Sequence, residues 1–461
     1  MDTFRLPGML LWAAVALLAA CGGDNNAGVE TPEGGTIDIA VAGQTVTKVR
    51  AVGRQVAFLE EQLNSIFEDG PRRSLQLVNG NGEPFQPYAT PAGWSLIDFV
   101  VHPSGDLSLV LTTSRDVRLV RLDHNGMVRI DQLLLDTAAA TDPFFDYAGG
   151  LKDDQSLQPA LMHDAARLAP LGEGLLLALR TGRNAVVAYR LDPDADGSYR
   201  QAWRTLVEPG ASILLEGITS GTFDVFGQLQ NHLRLFIDVD AMGTLAIGMV
   251  EAPLSNFTFR AHAEYFKESI AASNGVLLTR VATQDGRRLG STVIDTKERA
   301  ELHGLRASSH GFALVGRVLS EVRPDGTGWD AFVASVKPDG SLDSYHTVDV
   351  DRGDVLFDIA QLPSGRYLAL GTTGYVQNPT GASISESAQP LLVVLAPDGS
   401  LAQNLGFPVG PRHNQLTTIV RSDAGWLLGG MVNGPGTHSA DTERSLLVAD
   451  GFLRERVDLP N

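Results

Sequence analysis

Short apolar runs interrupted by glycine turns recur along most of the chain. Aligning each run on its turn glycine finds the arrangement seven times, as in "FVASVKPDGSLDS" around Gly340, "LLVVLAPDGSLAQ" around Gly399 and "LLVADGFLRERV" around Gly451. Such runs predict β-hairpins, because glycine supplies the positive φ that a tight turn requires. The remaining four turns contain Gly82, Gly126, Gly197 and Gly286.

A second set of glycine turns precedes each of these hairpins and feeds a further apolar run. Its members are Gly53, Gly105, Gly174, Gly243, Gly311, Gly365 and Gly425. Two hairpins per unit make four strands, and seven four-stranded units predict an all-β fold, a seven-bladed β-propeller. Residues 60–68 also fit a helix, because apolar residues lie at helical spacing around them, so six blades plus an N-terminal cap is the alternative.

The two ends of the repetitive region predict how the ring closes. The segment "TIDIAVAG" from Thr36 alternates like a strand, while "FLRERVDL" from Phe452 completes the last unit. A propeller joins its first and last blades to remove an exposed sheet edge. We therefore expect the two ends to be neighbours, through direct strand pairing.

Long insertions fall only in connections that a propeller places on one face. They are 137–163 and 209–231 between units, and 251–274, 373–390 and 432–444 between second and third strands. Long loops on one rim of a rigid scaffold favour a recognition surface there, although insertions also accumulate wherever folding tolerates them. The first insertion contains Phe144, Phe145 and Tyr147, which form either an adhesive patch or a local core.

Several polar residues share one register, eleven positions before the first turn glycine of their unit. They are Trp94, His163, His232, Asp354 and Asn414, with Asp164 and His413 adjacent and His303 about one turn further in. Equivalent positions on successive blades surround one axis, so we predict that these side chains line the channel mouth. Converging imidazoles and carboxylates bind a divalent metal or shuttle protons; the alternative is a polar, water-filled channel.

The segment "DPDADGS" suggests a second metal site. Asp192, Asp194 and Asp196 alternate ahead of Gly197 like the first half of a calcium loop. The second half departs from that pattern, because Trp203 stands where the bidentate Glu belongs. The alternatives are a structural calcium or other divalent ion and an Asp-rich hairpin.

The N-terminal segment "MDTFRLPGMLLWAAVALLAAC" has one basic residue, an apolar stretch of signal-peptide length and the ending Leu18-Ala19-Ala20-Cys21. This ending resembles a bacterial lipobox, which implies cleavage before Cys21 and acylation of that cysteine, such as palmitoylation. The chain is thus similar to bacterial propeller lipoproteins. We expect a signal peptide over 1–20, a lipidated tether over 21–35 and a propeller over 36–461.

Gly22 after the cysteine favours the outer membrane, on its periplasmic side, over retention at the inner membrane. Cys21 is the only cysteine, so no disulfide forms within the chain. The formal charge of −18 is spread along the chain without a basic patch, which argues against nucleic acid as a partner.

Two function classes follow from these features. One is an envelope binding or scaffolding module that recognises a protein or glycan ligand with its long loops. The other is a propeller enzyme, a lyase, lactonase or other hydrolase with a His-lined site at the channel mouth. No Gly-x-Ser-x-Gly, Walker, His-Glu-x-x-His or Cys-x-x-Cys motif is present, so the common hydrolase, nucleotide and zinc signatures are absent.

Overall fold

The computed structural model describes residues 37–460 except 43, 53–54, 63–72, 80–81, 114–115, 137–160, 182–185, 209–213, 216–234, 251–257, 260–274, 299, 322–327, 352, 375–387, 408–413, 424 and 433–449. Within these ranges it also leaves undescribed the side chains of residues 42, 62, 135–136, 161–165, 181, 214–215, 250, 258–259 and 450–451. The strands that it describes belong to one compact unit, residues 36–461.

The described residues form β-strands and no helix. The first half of the chain contributes β1 (Asp38–Ala42), β2 (Gln44–Val52), β3 (Gln55–Gln62), β4 (Arg73–Val78), β5 (Pro84–Phe85), β6 (Ser95–Val101), β7 (Leu107–Thr112), β8 (Asp116–Leu122), β9 (Val128–Asp136), β10 (Leu161–Leu171), β11 (Gly174–Thr181), β12 (Val186–Pro193), β13 (Tyr199–Glu208) and β14 (Leu214–Leu215). The second half contributes β15 (Phe236–Val239), β16 (Thr244–Val250), β17 (Thr258–Phe259), β18 (Gly275–Ala282), β19 (Arg288–Asp295), β20 (Ala300–Ser308), β21 (Gly311–Leu319), β22 (Trp329–Val336), β23 (Leu342–Val348), β24 (Val355–Gln361), β25 (Tyr367–Thr373), β26 (Gln389–Leu395), β27 (Leu401–Asn404), β28 (Gln415–Arg421), β29 (Trp426–Val432) and β30 (Asp450–Arg456).

These strands make seven four-stranded antiparallel sheets, which are the blades of a β-propeller. Blades 1 to 6 are β2–β5, β6–β9, β10–β13, the set β15, β16, β18 and β19, then β20–β23 and β24–β27; blade 7 combines β28–β30 with β1. The predicted seven-bladed propeller is confirmed. The six-bladed alternative is wrong, because blade 1 is a complete sheet.

The predicted helix over 60–68 is wrong where the structure describes it, because residues 60–62 belong to β3. Residues 56–60 are buried without alternation. A blade packed between two neighbours buries both faces of its strands, so the apolar pattern loses its period of two and resembles that of a helix. Residues 63–68 lie outside the described part.

Strand pairing between the two ends of the chain closes the ring. β1 pairs antiparallel with β30, with Ile39 opposite Leu453. The predicted proximity of the ends is confirmed. The hairpin predicted at Gly451 is wrong, because Gly451 lies within β30 opposite Val41. The N-terminal strand supplies the fourth strand of blade 7, so the chain needs no turn there.

Hairpin turns and longer connections lie on opposite faces of a blade. One face carries the turns that join the first strand to the second and the third strand to the fourth, and we call it the short-turn face. The opposite face carries the other connections, and we call it the long-connection face. Glycines with positive φ form the short turns, as at Gly105 (φ 85°) and Gly340 (φ 91°). In blade 3 the turn glycine is Gly172 (φ 58°) rather than Gly174, which begins β11.

Two of the long connections contact each other. β14 lies in the connection between blades 3 and 4, and β17 lies in the connection within blade 4. They pair in parallel, with Leu214 opposite Thr258 and Leu215 opposite Phe259.

Candidate binding site in the central channel

The first strand of a blade lies next to the propeller axis. In five blades it carries a one-residue bulge against the second strand, and in blade 3 it carries a larger register shift. The extra residues at these bulges are Thr47, Ile97, His303, Phe357 and Thr417. All five line one cavity of about 310 Å³. A bulge places two successive residues against a single partner and changes the direction in which their side chains point. The repeated bulge therefore widens the set of side chains that reach the channel.

All seven first strands contribute to this cavity, which lies nearer the long-connection face. Some lining residues, such as Thr45, Ile97 and Gln415, lie at or near the beginnings of the first strands, whereas the short turns follow the strand ends. Glu61 and Arg73 also line the cavity. They flank the connection between the second and third strands of blade 1, on the long-connection face.

Asp98, in the middle of β6, joins three blades. Its carboxylate contacts the Lys48 ammonium of blade 1 and accepts hydrogen bonds from the backbone N–H of Phe99 (2.9 Å) and of Leu168 in blade 3 (2.8 Å). The side chain is buried, with 2% of its surface exposed. A carboxylate with this many donors is held in one orientation and stays ionised.

Asp358, the equivalent residue in blade 6, repeats this arrangement. The Arg306 guanidinium of blade 5 donates to both of its oxygens, Nε to Oδ1 at 2.8 Å and Nη2 to Oδ2 at 2.7 Å. Backbone N–H groups of Ile359 and, in blade 7, Ile419 donate to it at 2.9 and 3.0 Å. The bidentate geometry is the strong form of an arginine–carboxylate contact.

A third acid and a hydroxyl make similar links between neighbouring blades. Asp238 accepts the backbone N–H groups of Val239 (2.9 Å) and Ala307 (2.8 Å). Thr418, the blade 7 equivalent of Asp98, accepts the N–H of Val49 in blade 1 at 3.3 Å. These residues therefore connect adjacent blades around the axis.

Burial and mutual charge shift the pKa values of this group. Burial, together with nearby Arg50 and Arg167, lowers the pKa of Lys48 to about 7 against the pull of Asp98. Burial opposes ionisation of Asp98, but the charges of Lys48 and Arg167 prevail and lower its pKa. Burial likewise opposes ionisation of Asp358, and Arg306 prevails and lowers its pKa. At neutral pH both aspartates are ionised, while Lys48 is close to losing its proton.

His303 lies on the cavity wall beside a buried ion pair. Its Nε2 is 3.4 Å from Oε2 of Glu301, and its ring meets the Phe357 ring edge-on with centroids 5.1 Å apart. Glu301 also accepts from Arg317, with Nη2 to Oε2 at 2.7 Å. Arg317 stacks on Trp329, with its guanidinium carbon 4.3 Å from the ring centroid. His303 thus lies on the wall of the channel cavity.

Asp354 and Asn414 share a register, as predicted, but they join blades rather than line the cavity. The backbone N–H of Asp354 donates to Trp329 O (2.8 Å), and that of Asn414 donates to Ala388 O (3.0 Å). Each carbonyl lies near the start of the third strand in the preceding blade. Both residues are fully buried. Trp94 is half-buried and stacks with Arg118, whose guanidinium carbon is 4.4 Å from the ring centroid.

The remaining site predictions concern two channel-mouth histidines, the aromatic residues of the first long insertion, the start of β10 and the N-terminal cysteine. His232, His413, Phe144, Phe145 and Tyr147 lie outside the described residues. His163 and Asp164 lie in β10, but their side chains are not described. Cys21 and the rest of 1–36 also lie outside the described part.

The three aspartates of the "DPDADGS" turn each contact a different partner. Asp192 accepts from Arg190 (2.8 Å), Asp194 from Arg200 (3.2 Å) and Asp196 from the hydroxyl of Ser198 (2.6 Å). Among the described residues, no group of three or more His, Cys, Asp or Glu side chains is arranged to hold a metal ion. The structure thus lends no support to the predicted calcium site.

The sequence does contain a signal for the residues that matter most in the channel. One aspartate lies among apolar residues in the first strands "SLIDFVV" and "VLFDIAQ", and "TVTKVRAV" carries two cations, Lys48 and Arg50. The register set by the turn glycines points to residues at the beginnings of the first strands, so the sequence prediction did not include these charges at the strand centres. In the part of the chain that the structure describes, no helix is long and apolar enough to cross a membrane.

Among known proteins, similarity is found only to solved structures. No protein-family model matches the sequence. No curated protein shows significant sequence similarity to it. Solved structures that resemble it include virginiamycin B lyase from Staphylococcus aureus (TM-score 0.47, 10% identity, 90% of this chain and 98% of the lyase covered) and the Dos1 propeller (0.43, 11%, 92% and 95%). A protein of unknown function from Bacteroides caccae is also similar (0.35, 12%, 72% and 90%).

Proposed function

We propose that this propeller is an envelope binding module that recognises a protein or glycan ligand at its long-connection face. The observation that carries the proposal is the cavity of about 310 Å³, which lies towards that face and is lined by all seven blades. Its walls combine apolar side chains with eight charged ones, some of which are held by ion pairs between blades. The strand ends that flank the long connections lie at the same end of the channel.

The anchor belongs to the same proposal. Lipid on Cys21 attaches the module to the outer membrane, facing the periplasm, and residues 22–35 act as the tether. Because acylation supplies the strong hydrophobic insertion, the Cys21→Ser protein is expected in the soluble fraction after cell fractionation. A Cys21→Ser protein that stays in the membrane pellet would show that another anchor holds it.

Ligand recognition is tested with the full-length protein, solubilised in detergent and used to capture components from envelope extracts. Thr47→Trp places a bulky ring at the cavity wall, and Gln284→Trp places the same ring at an exposed position on a short turn of blade 4. We expect the Thr47 variant to lose a component that both wild type and the Gln284 variant retain. Equal capture by all three proteins would refute recognition at this end of the channel.

A propeller enzyme with its site at the channel mouth is the second candidate, and Lys48 is the observation that favours it. Its amine lines the cavity beside Asp98, and its lowered pKa makes a neutral base available near pH 7. Lactone hydrolysis followed by pH titration tests this function. A hydrolysis rate that rises with pH with an apparent pKa near 7, and that disappears in Lys48→Met, supports this function. A hydrolysis rate no higher than that of the buffer alone contradicts it.

A further inference from the structure

The Lys48 side chain lies on the wall of the channel cavity, at a bulge in β2. Thr47 is the extra residue of that bulge, and both Thr47 and Lys48 line the cavity. Successive side chains of a regular strand point to opposite faces, whereas a bulge turns two neighbours towards the same side. The Lys48 side chain is 17% exposed, so a small molecule inside the cavity can contact it.

The protein around this amine stabilises its ammonium form only in part. An ammonium has three N–H donors, and among the described residues Asp98 is the hydrogen-bond acceptor that Nζ contacts. Burial removes much of the water that would solvate the charge, and Arg50 and Arg167 add like charge nearby. These effects outweigh the attraction of Asp98 and lower the pKa of Lys48 to about 7. A neutral amine is therefore present in the cavity at neutral pH.

We infer that Lys48 is a nucleophile that captures the carbonyl group of a small neutral aldehyde or ketone in the channel, as a Schiff base. The inference deepens the proposed binding function and rests on it. A buried lysine with cationic neighbours is the kind of amine that attacks carbonyl carbons in proteins. Carboxylates of Asp98, Asp238 and Asp358 act on the same region as the Arg50 guanidinium, so an ion of either sign meets like charge there. The open-chain forms of reducing sugars belong to this neutral class.

The groups on this wall suffice for the reaction. The Nζ lone pair attacks the carbonyl carbon, a C–N bond forms, and the electron pair of the carbonyl π bond moves to oxygen. Asp98 relays one N–H proton to that oxygen, which gives a carbinolamine. The hydroxyl then leaves with the second N–H proton as one water, and a C=N bond remains. Backbone N–H groups of Phe99 and Leu168 keep Asp98 in place throughout.

Reductive trapping with D-glyceraldehyde and sodium cyanoborohydride tests the inference on the full-length protein in detergent at pH 7. Cyanoborohydride converts each Schiff base into a stable secondary amine, and peptide mass mapping gives the labelling rate of each lysine. Lys297 and Lys337 are exposed and serve as controls within the same sample.

The neutral fraction of the amine sets the expected difference in rate. An amine with a pKa of about 7 is about half neutral at pH 7, whereas a lysine at the ordinary value is neutral in about one molecule in 2,500. Lower basicity and narrow access offset part of this advantage. We therefore expect Lys48 to be labelled about tenfold or more faster than Lys297 and Lys337.

Two further measurements connect the reactivity to the channel. Thr47→Trp narrows the cavity and should slow labelling of Lys48 about fivefold or more while leaving Lys297 and Lys337 unchanged, whereas Gln284→Trp should change none of them. The rate at Lys48 should reach half its maximum at about pH 7 and then level off. In the urea-unfolded chain, labelling of Lys48 should instead keep rising through about pH 9.

Labelling of Lys48 no faster than that of Lys297 and Lys337 overturns the inference. A rate at Lys48 in the folded protein that rises through about pH 9, as in the unfolded chain, also overturns it. So does equal labelling in wild type and Thr47→Trp, because the carbonyl compound would then not reach Lys48 through the channel. Capture of an envelope component that is lost in Thr47→Trp would still leave the proposed function standing, so the two failures are distinguishable.

Discussion

Replacing Ile39 with alanine tests whether the N-terminal strand holds the ring closed. Ile39 is 5% exposed and packs in a cluster that joins blade 7, through Leu427 and Leu453, to blade 1, through Val46 and Phe58. The change removes three buried carbon groups, which cost about 0.8 kcal/mol each on transfer to water. The cavity left behind adds to this, so we expect unfolding to become easier by about 3 kcal/mol.

Urea denaturation followed by tryptophan fluorescence measures this loss, because Trp426 is buried in blade 7 at 1% exposure. Asp38→Ala is the matched control on the same strand. It removes an exposed ion pair to Arg454 (3.2 Å) and should cost less than about 1 kcal/mol. If Ile39→Ala unfolds at the same urea concentration as Asp38→Ala, β1 does not contribute to ring stability and the closure argument fails.

Three further variants test the buried polar groups. Asp358→Ala leaves Arg306 without its carboxylate and should destabilise the fold by about 3 to 5 kcal/mol in the same assay; a loss below about 1 kcal/mol would contradict the link between blades. His102 is buried and bonded to Ser108 (2.8 Å), and burial lowers its pKa. The unfolded chain therefore takes up a proton on this histidine more readily than the folded protein does, and the free energy of unfolding falls as pH drops through about 6.5. His102→Gln should flatten that part of the pH profile of stability. Burial raises the pKa of Asp354 to about 6. The protonated carboxyl therefore favours the folded protein, and this contribution to the free energy of unfolding is lost as pH rises through about 6. Asp354→Asn should therefore gain more stability over wild type at pH 7 than at pH 4.5, and an equal difference at both pH values would refute this.

The number of blades could be predicted from local sequence, because hairpin turns are local structures. A glycine such as Gly105 or Gly340 marks a turn whatever the rest of the chain does, since the backbone there needs positive φ. Closure of the ring by strand pairing could also be predicted, because an exposed sheet edge in a propeller has unpaired backbone groups that can pair with another chain. The misplaced hairpin at Gly451 shows the limit: Asp-Gly permits a turn, but the pairing partner, 410 residues away at Val41, decides whether one forms.

The channel site depends on contacts that no local pattern encodes. Counting residues placed Asp354 and Asn414 in a common register correctly, yet their backbone bonds connect them to the preceding blade rather than the axis. Lys48 and Asp98 are 50 residues apart, and Arg306 and Asp358 are 52 apart. Packing of consecutive blades against each other brings each pair together.

The sequence by itself therefore determined the repeat, the four strands of each blade, most of the turn glycines and the face that carries the long connections. Tertiary structure alone decided which side chains reach the axis. A single-residue bulge at Thr47 or His303 reverses the alternation of a strand, so the direction of every later side chain depends on pairing with the neighbouring strand. The backbone donors that Asp98 and Asp358 find in neighbouring blades likewise become known only when the blades are placed side by side.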